Sequence, residues 1–397
     1  MAQERVVVVG AGPTGLTAAL FLARAGVPVT VLEARSEIYE DPRAATFHPP
    51  TLEMYADTGV TAELHARGIL CPQWQFRGRD EGLVAQFDLG LIADVTPYPY
   101  RLQCEQHKLV AILTDRLAAF RNVDIRYGAP AATVTQDAAG AAVILENGEA
   151  VRGAYVIGAD GGRSVVRKSQ EIDFEGFTYQ ERFLVVTTTF DFARRGFAYS
   201  CYVSDPREWC ALFKVPGEGP PGLWRVVFPT PPEAAAEDLL DPVGAETRVR
   251  GFLATDEPIK IVHTNLYTVH QRVAATYRRG RVLLAGDAAH VNNPLGGMGM
   301  NFGIHDAVSL AGALVRVLGG ARDDLLDRYD RQRRHVANAF LQAMTIQNKR
   351  VLEEKDPAVR EARLSELRDT AADPAKARPF LMRTAMIEGL RAAAAVD

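Results

Sequence analysis

Three short segments of the chain set glycines and an acid at the end of an apolar run, a combination that binds phosphate or a planar anion through bare backbone. The longest is RVLLAGDAAHVNNPLGGMGMNFGIHD, residues 281–306. Residues 281–285 read as a short buried strand. It gives way to Gly286 and Asp287 at its carboxyl end, the edge of an open α/β sheet where ligands sit. Pro294, Gly296, Gly297 and Gly299 keep the following backbone unhelical until a helix begins near Asn301. Unpaired amide N–H groups and the helix dipole favour negative charge there by up to about 2 kcal/mol when partly buried. A planar ring that becomes anionic on reduction would gain from that field.

The second segment lies near the start of the chain. Residues 5–9 form a β-branched run that meets Gly10-Ala11-Gly12-Pro13-Thr14-Gly15 before an apolar-periodic helix over 16–24, closed by Gly26. A strand over 29–32 then ends in Glu33. Gly10 makes the tight turn, Gly12 admits a pyrophosphate to the backbone and Gly15 allows close helix packing. Glu33, about 20 residues on, accepts hydrogen bonds from a ribose. Strand, helix, second strand and acid in that order point to a dinucleotide. In the third segment, a strand over 155–158 runs into Ala159-Asp160-Gly161-Gly162-Arg163-Ser164.

Single residues add to these. Arg43, in RAATFHPPTLEMY, is placed to reach a pyrophosphate or to stand as a loop arginine. His48 is either a ring-facing acid/base or a loop histidine before two prolines. Tyr202 and Arg225, on expected sheet strands, offer phenol and anion contacts or simple packing. His290, inside GDAAH, reads as structural and hydrogen-bonded.

These segments need a scaffold, and the composition limits its kind. A net charge of -4 gives no general attraction to nucleic acid or to an anionic membrane, which directs the search to a small-molecule partner. Cys71, Cys104, Cys201 and Cys210 lack CxxC spacing, so buried reduced thiols in a cytosol are expected, and no metal site. Residues 6–23 are uncharged and long enough to suggest a membrane span. Their three glycines and Pro13, with no basic n-region and no cleavage site, argue against a span and against a signal peptide.

Residues 71–100 leave the first unit, and 102–120 read as a helix. Asn147-Gly148 marks a hairpin. Residues 183–192, 198–203, 209–215 and 223–228 are β-rich between Gly/Pro turns, which implies a mostly antiparallel sheet inserted into the first unit. Helices follow over 307–318 and 325–351, then an amphipathic stretch with an alanine-rich, frayed end. The expected division is 1–75, 101–172 and 265–345 for the nucleotide domain, 76–100 and 173–264 for the sheet domain, and 346–397 for a C-terminal helical segment.

Taken together, GAGPTG with Glu33, GADGGRS, and LAGDAAH with PLGGMGMN closely resemble the motifs of the single-component FAD-dependent aromatic hydroxylases, the para-hydroxybenzoate hydroxylase-like group A flavoprotein monooxygenases. The resemblance spans residues 5–336. It implies an α/β fold: a Rossmann-like FAD-binding domain of the GR2 type, an inserted mostly antiparallel β-sheet substrate domain and C-terminal helices. It places Gly10, Gly12, Gly15 and Glu33 at the ADP half of FAD, with Arg43 beside the pyrophosphate and Gln106 of EQHKLVAIL at the cofactor. Asp160 and Gly161 belong to the motif serving both FAD and the nicotinamide donor, and Gly286 and Asp287 to the ribityl contact. Pro294, Gly296, Gly297, Met298, Gly299, Met300 and Asn301 lie along the isoalloxazine. No second complete GxGxxG exists, so NADH or NADPH would bind transiently, with Arg35 and Tyr39 placed for its phosphate or ribose.

The implied reaction uses NAD(P)H and O2 to hydroxylate an aromatic or heteroaromatic, phenol-like molecule through a flavin C4a-hydroperoxide, in a cytoplasmic monomer or homodimer. Pro294, His48, Tyr202 and Arg225 are the residues expected to face that chemistry. Two departures bear on the substrate. Aligned from Gly196-Phe197-Ala198, the serine and arginine that grip a benzoate fall on Cys201 and Val203, and Met298 stands where the benzoate-binding member has lysine. A 4-hydroxybenzoate substrate is therefore not expected. Other readings are a same-fold flavin oxidoreductase (epoxidase, reductase or halogenase-like, although Trp74, Trp209 and Trp224 form no WxWxIP) or a flavin-binding sensor with weak turnover.

Overall fold

A computed structural model describes residues 4–37 and 44–397. Arg43 and Tyr39 fall outside the described residues. Four consecutive valines make the first strand, Val6–Val9, and all four are buried. Such a run, apolar on both faces, belongs inside a parallel sheet covered on both sides. Val8 pairs with Val31 on one flank and Ile157 on the other, both parallel. The sheet has six strands in the order 278–279, 282–284, 155–158, 6–9, 29–32, 123–126, parallel except for the edge hairpin at 278–279. All three glycine-acid segments, and Glu33, therefore leave adjacent strands at the same carboxyl edge.

The helix Pro13–Arg24 and the long helix Gly299–Leu318 pack together over this sheet. A meander of 131–136, 141–145 and 150–153 turns at Gly148, whose φ of +87° suits glycine.

The second large sheet has eight strands in the order 290–291, 261–274, 174–188, 223–229, 210–215, 200–204, 73–78, 82–88. Its pairings among the described residues are antiparallel except that of 200–204 with 73–78. Strand 261–274 runs past residue 265 in one piece, and 73–78 begins before residue 76, so hydrogen-bonded ladders cross both of those expected limits. Side chains alternate across this sheet. Trp224, Val226 and Phe228 join Phe192 and the helix Pro242–Leu253 on one face. Val185, Tyr202 and Val227 turn to the other, where they meet Leu295 and the C-terminal helices.

Residues 102–120 are not one helix. Arg101–Gln103 is a strand paired with Thr46–Phe47 and Ile69–Cys71, and the helix runs from Gln106 to Leu117. The stretch expected as one helix over 325–351 contains a π-helical segment, Ala337–Gln342. The C-terminal end is packed rather than frayed: Gln332 donates to the Val396 carbonyl at 2.8 Å and Arg331 to that of Asp397 at 2.6 Å. No helix among the described residues is long and apolar enough to cross a membrane.

Candidate active site

The nucleotide-binding edge is built from steric necessity. A Cβ on Gly15 would lie 1.9 Å from the Gly10 carbonyl oxygen, and one on Gly10, at φ +105°, would lie 2.4 Å from that of Ala159. Gly286 and Gly303 both close on the Thr14 hydroxyl, where a Cβ on either would come within 2.5 Å. Turn, sheet and both helices are thus locked together by absent side chains. Gly12 differs, because a Cβ there would meet nothing within 4 Å. Open space beside its backbone and a helix N-terminus without a side-chain cap form a cradle that a pyrophosphate fits. The Glu33 carboxylate accepts from Ala11 N at 2.8 Å and Arg35 N at 3.0 Å, which fixes it beside that cradle.

The Asp160 oxygens are taken up within their own loop, by the Ser164 hydroxyl at 2.5 Å and the Val165 and Val166 amides at 2.7 and 3.1 Å. Buried Arg167 links that loop to the next motif. It donates to the Gly162 carbonyl at 2.9 Å and the Ala288 carbonyl at 2.8 Å, with its guanidinium 3.7 Å from the Phe174 ring centroid. Asp287 stands exposed between buried Gly286 and Ala288.

The glycine loop after Pro294 is held from behind. Gly297 N donates to the Pro294 carbonyl at 3.0 Å, and Gly296 and Gly297 have φ of +114° and +63°. Asn301 is fully buried and spends its amide on scaffolding. Its Oδ1 accepts from His48 N (2.9 Å) and Thr51 Oγ1 (2.7 Å), and its Nδ2 donates to the Thr46 and Gly297 carbonyls, both at 2.8 Å. The helix Gly299–Leu318 has no side-chain cap, so its first amides face the loop unpaired by any side chain.

His48 stands in the short connection between the strand Thr46–Phe47 and the helix Pro49–Met54. It is wholly buried, and its Nε2 donates to the Gly296 carbonyl at 3.0 Å, leaving Nδ1 without a partner among the described residues. Burial, with Arg101 nearby, pulls its imidazole down to about 3. It is therefore neutral at physiological pH. His290 is structural: its Nε2 donates to Asp306 at 2.7 Å, and Asp306 also accepts from Arg333 (2.6 Å) and the Gly286 amide (3.0 Å). This buried network supports the turn bearing Asp287.

Between the loop and the large sheet lies a cavity of about 360 Å³. Gly296 and Met298 line it from the loop, Trp74, Arg101 and Tyr202 from the sheet side, and Phe380 from a C-terminal helix. Arg101 is buried, donates to Ser200 Oγ at 3.1 Å and lies 5.2 Å from the Trp74 ring. Arg101 Nε and Trp74 Nε1 are buried without hydrogen-bond partners among the described residues, and the buried Tyr202 phenol faces the Arg101 guanidinium and the Gly296 backbone. Burial raises the Tyr202 phenol above its ordinary value, against the pull of Arg101, so it remains a neutral donor. Buried donors left unmatched in residues that line a cavity are costly unless a ligand satisfies them.

The expected residues scatter accordingly. Tyr202, Gly296 and Met298 meet at this cavity, and Pro294 begins the loop that forms its wall. Arg225 shares the Tyr202 face of the sheet but is paired in register with Thr187 and Phe213, outside the cavity lining. Cys201 and Val203 point to the opposite face, and Ser200 and Tyr202 take the inward positions, a one-residue offset in a period-2 element. Half-buried Gln106 begins its helix, with its amide on the Ala44 carbonyl at 2.9 Å. Gln103 went unread because its strand lay hidden in an expected helix, and Arg101 because it stands just before that expected helix. Gln103 Oε1 accepts from Thr46 at 3.0 Å, while its buried Nε2 has no partner among the described residues.

A parallel sheet with a dinucleotide cradle and a glycine loop facing a ring-sized cavity defines a flavin-dependent oxidoreductase. The FAD binding domain family matches residues 3–344, and the chain belongs to it, as a single-component FAD-dependent aromatic hydroxylase. The chain is 34% identical over 397 residues to para-nitrophenol 4-monooxygenase of Pseudomonas sp. (strain WBC-3), covering 98% of this chain and 97% of the relative. It is 35% identical over 340 residues to 6-hydroxy-3-succinoylpyridine 3-monooxygenase HspB of Pseudomonas putida (strain DSM 28022 / S16), covering 84% of each. The crystal structure of p-nitrophenol 4-monooxygenase PnpA from Pseudomonas putida DLL-E4 superposes with a TM-score of 0.88 at 33% identity, over 98% of both chains.

Proposed function

We propose that the chain takes electrons from NADH or NADPH and uses O2 to hydroxylate a phenol-like or hydroxypyridine-like ring held as its anion in the cavity beneath the loop 294–299. One observation carries this reading: Arg101 and Trp74 keep buried, unmatched donors, with the Tyr202 phenol beside Arg101, in residues that line one cavity with Gly296 and Met298. An ionised phenol oxygen satisfies them, and a charge-assisted bond to the guanidinium is about twice as strong as a neutral one. Ionisation also makes the ring electron-rich, the state an electrophilic oxygen attacks. The two relatives named for nitrophenol and hydroxypyridine oxidation support the same class.

FAD, when bound, supplies electron storage and oxygen activation. Gly10, Gly12, Gly15 and Glu33 would hold its ADP half, Asp287 its ribityl chain, and residues 294–301 its ring system, with His48 and Asn301 fixing that loop. Apolar walls from Phe76, Met344, Leu352 and Phe380 exclude water from the reacting ring. Strands 73–88 and 174–274 form the substrate face, the six-stranded sheet carries the cofactor, and residues 346–397 close the cavity.

The test is to incubate the flavin-loaded protein with NADH or NADPH and a panel of phenols and hydroxypyridines, and to follow pyridine-nucleotide oxidation, oxygen uptake and product mass. A product heavier by one oxygen is expected. Flavin-loaded protein whose NAD(P)H oxidation and product spectrum no ring compound changes would overturn the reading.

A further inference from the structure

The chain leading into the glycine loop is laced onto one face of the helix Ala343–Glu353 and the π-helical segment before it. Gln342 Nε2 donates to the Val291 carbonyl at 3.0 Å, Asn293 Nδ2 to the Thr345 carbonyl at 2.9 Å, and Asn348 Nδ2 to the Leu295 carbonyl at 3.1 Å. Helix positions three apart share a face, so 342, 345 and 348 meet alternate residues of the incoming chain. The other end of the helix is tied to the strand that carries Tyr202. Ser204 Oγ donates to the Leu352 carbonyl at 3.2 Å, and the Asp205 amide to the same carbonyl at 3.3 Å. The helix is thus a strut between the glycine loop and the substrate sheet, and Met344, Asn348, Val351 and Leu352 on it line the cavity.

Four side chains hold residues 295–297. His48 donates to the Gly296 carbonyl at 3.0 Å, Asn301 to that of Gly297 at 2.8 Å, and Asn348 to that of Leu295, while Asn293 Oδ1 accepts from the Leu295 amide at 3.1 Å. His48, Asn293 and Asn301 are fully buried, closed to anything that enters the cavity. Asn348 is half-buried and belongs to the cavity wall. It also abuts the loop, since a Cβ on Gly296 would lie 3.2 Å from its Nδ2. One amide therefore touches the loop backbone on one side and the cavity on the other.

Resting on the monooxygenase reading above, we propose that Asn348 is a positioning residue that makes the geometry of the glycine loop depend on whether the cavity is filled. Water in an unfilled cavity competes for the amide. A ring packed on Met344, Val351 and Leu352 displaces that water and leaves the Leu295 carbonyl as its partner. The bond then sets the peptide between Leu295 and Gly296 from the cavity side, while His48 holds the next carbonyl from behind. A ring that touches this side chain in only one loop state shifts the balance between the two states. Loss of one neutral hydrogen bond moves such a balance about fivefold. Control of the loop by the substrate would then lie on a late helix, outside the glycine segments.

The experiment compares the flavin-loaded parent with Asn348→Leu and Asn348→Gln, using phenol, 4-chlorophenol and 4-hydroxypyridine as probes. Calorimetry gives occupancy, and the flavin difference spectrum at saturation reports the loop. Leucine keeps the volume and removes the donor, whereas glutamine keeps an amide. Asn348→Leu is expected to retain flavin and melt with the parent, yet to show a saturating difference spectrum at least about threefold smaller, with at least about half of the lost amplitude recovered in Asn348→Gln. Amplitude at saturation is independent of Kd, so weaker packing of the ring would not imitate the loss. An unchanged amplitude in Asn348→Leu, no recovery in Asn348→Gln, a leucine variant without flavin or fold, or a parent flavin that ignores a bound probe would each overturn the positioning role and leave the monooxygenase reading standing. If no ring compound perturbs the parent flavin or is oxygenated, the monooxygenase reading itself fails and takes this proposal with it.

Discussion

Replacing Asp306 with asparagine tests whether the turn bearing Asp287 is held by charge. Asp306 is fully buried and accepts from Arg333, His290 and the Gly286 amide at 2.6, 2.7 and 3.0 Å. Burial alone would raise its carboxyl, but Arg333 and His290 outweigh that and hold it below the usual 3.8. The substitution keeps the shape and strands the buried Arg333 guanidinium without a counter-charge, a loss of about 3–5 kcal/mol. Unfolding entropy of about 2.1 cal/mol/K per residue over 397 residues converts this to a Tm lower by about 4–6 °C. A folded pKa below the unfolded one means the stabilisation is present above about pH 3.8 and is lost as pH falls through the folded value. Circular dichroism melts should therefore show the same deficit at pH 7.5 and pH 5. Asp306→Leu with Arg333→Met, which removes both charges, should melt above the single variant. A single variant within 1 °C of the parent at pH 7.5, or a deficit that disappears by pH 5, would refute the argument.

The nucleotide edge supplies a paired prediction: Gly15→Ala, with its Cβ 1.9 Å from the Gly10 oxygen, should give misfolded protein without flavin, whereas Gly12→Ala should melt like the parent and bind FAD at least tenfold more weakly in a fluorescence titration. Asp287→Ala should pass through gel filtration folded but without its yellow flavin, and flavin content equal to the parent would remove the ribityl role. Arg101→Gln should retain FAD and bind para-nitrophenolate roughly 10–100-fold more weakly, since hydrogen bonds to charged groups contribute about 1.5–3 kcal/mol. His48, pulled from 6.5 to about 3, is stabilising in its neutral form above pH 6.5 and loses that contribution as pH falls toward 3. His48→Gln should accordingly weaken the fall in urea resistance between pH 7 and pH 5.

The cofactor edge was legible because its requirements are local. Gly10, Gly15 and Gly286 are glycines for reasons of contact distance, and the strand before each turn is a run of β-branched or leucine side chains that parallel pairing buries. What failed was pairing at a distance. Residues 102–120 read as one helix, but Leu102 sits in a strand held between residues 46–47 and 69–71, and that ladder outweighs local helical preference. The alanine-rich end looked frayed because its partners Arg328, Arg331 and Gln332 lie more than sixty residues earlier.

The substrate wall was less legible for a related reason. Its members come from positions 74, 101, 202, 298 and 380, on a sheet, a short strand, a loop and a late helix, with no shared period to mark them. The shift from Cys201 and Val203 to Ser200 and Tyr202 is a single residue, yet it exchanges the two faces of the sheet and with them the chemistry offered to the ring. The glycine segments need only one backbone shape, so any chain that binds FAD this way must show them. A cavity wall needs only a volume and a few donors, which many combinations of distant residues can meet. Selectivity can therefore change in the wall while the cofactor edge stays constant, and Arg101 and Tyr202, outside the three glycine segments, are where this chain's choice of substrate is expected to lie.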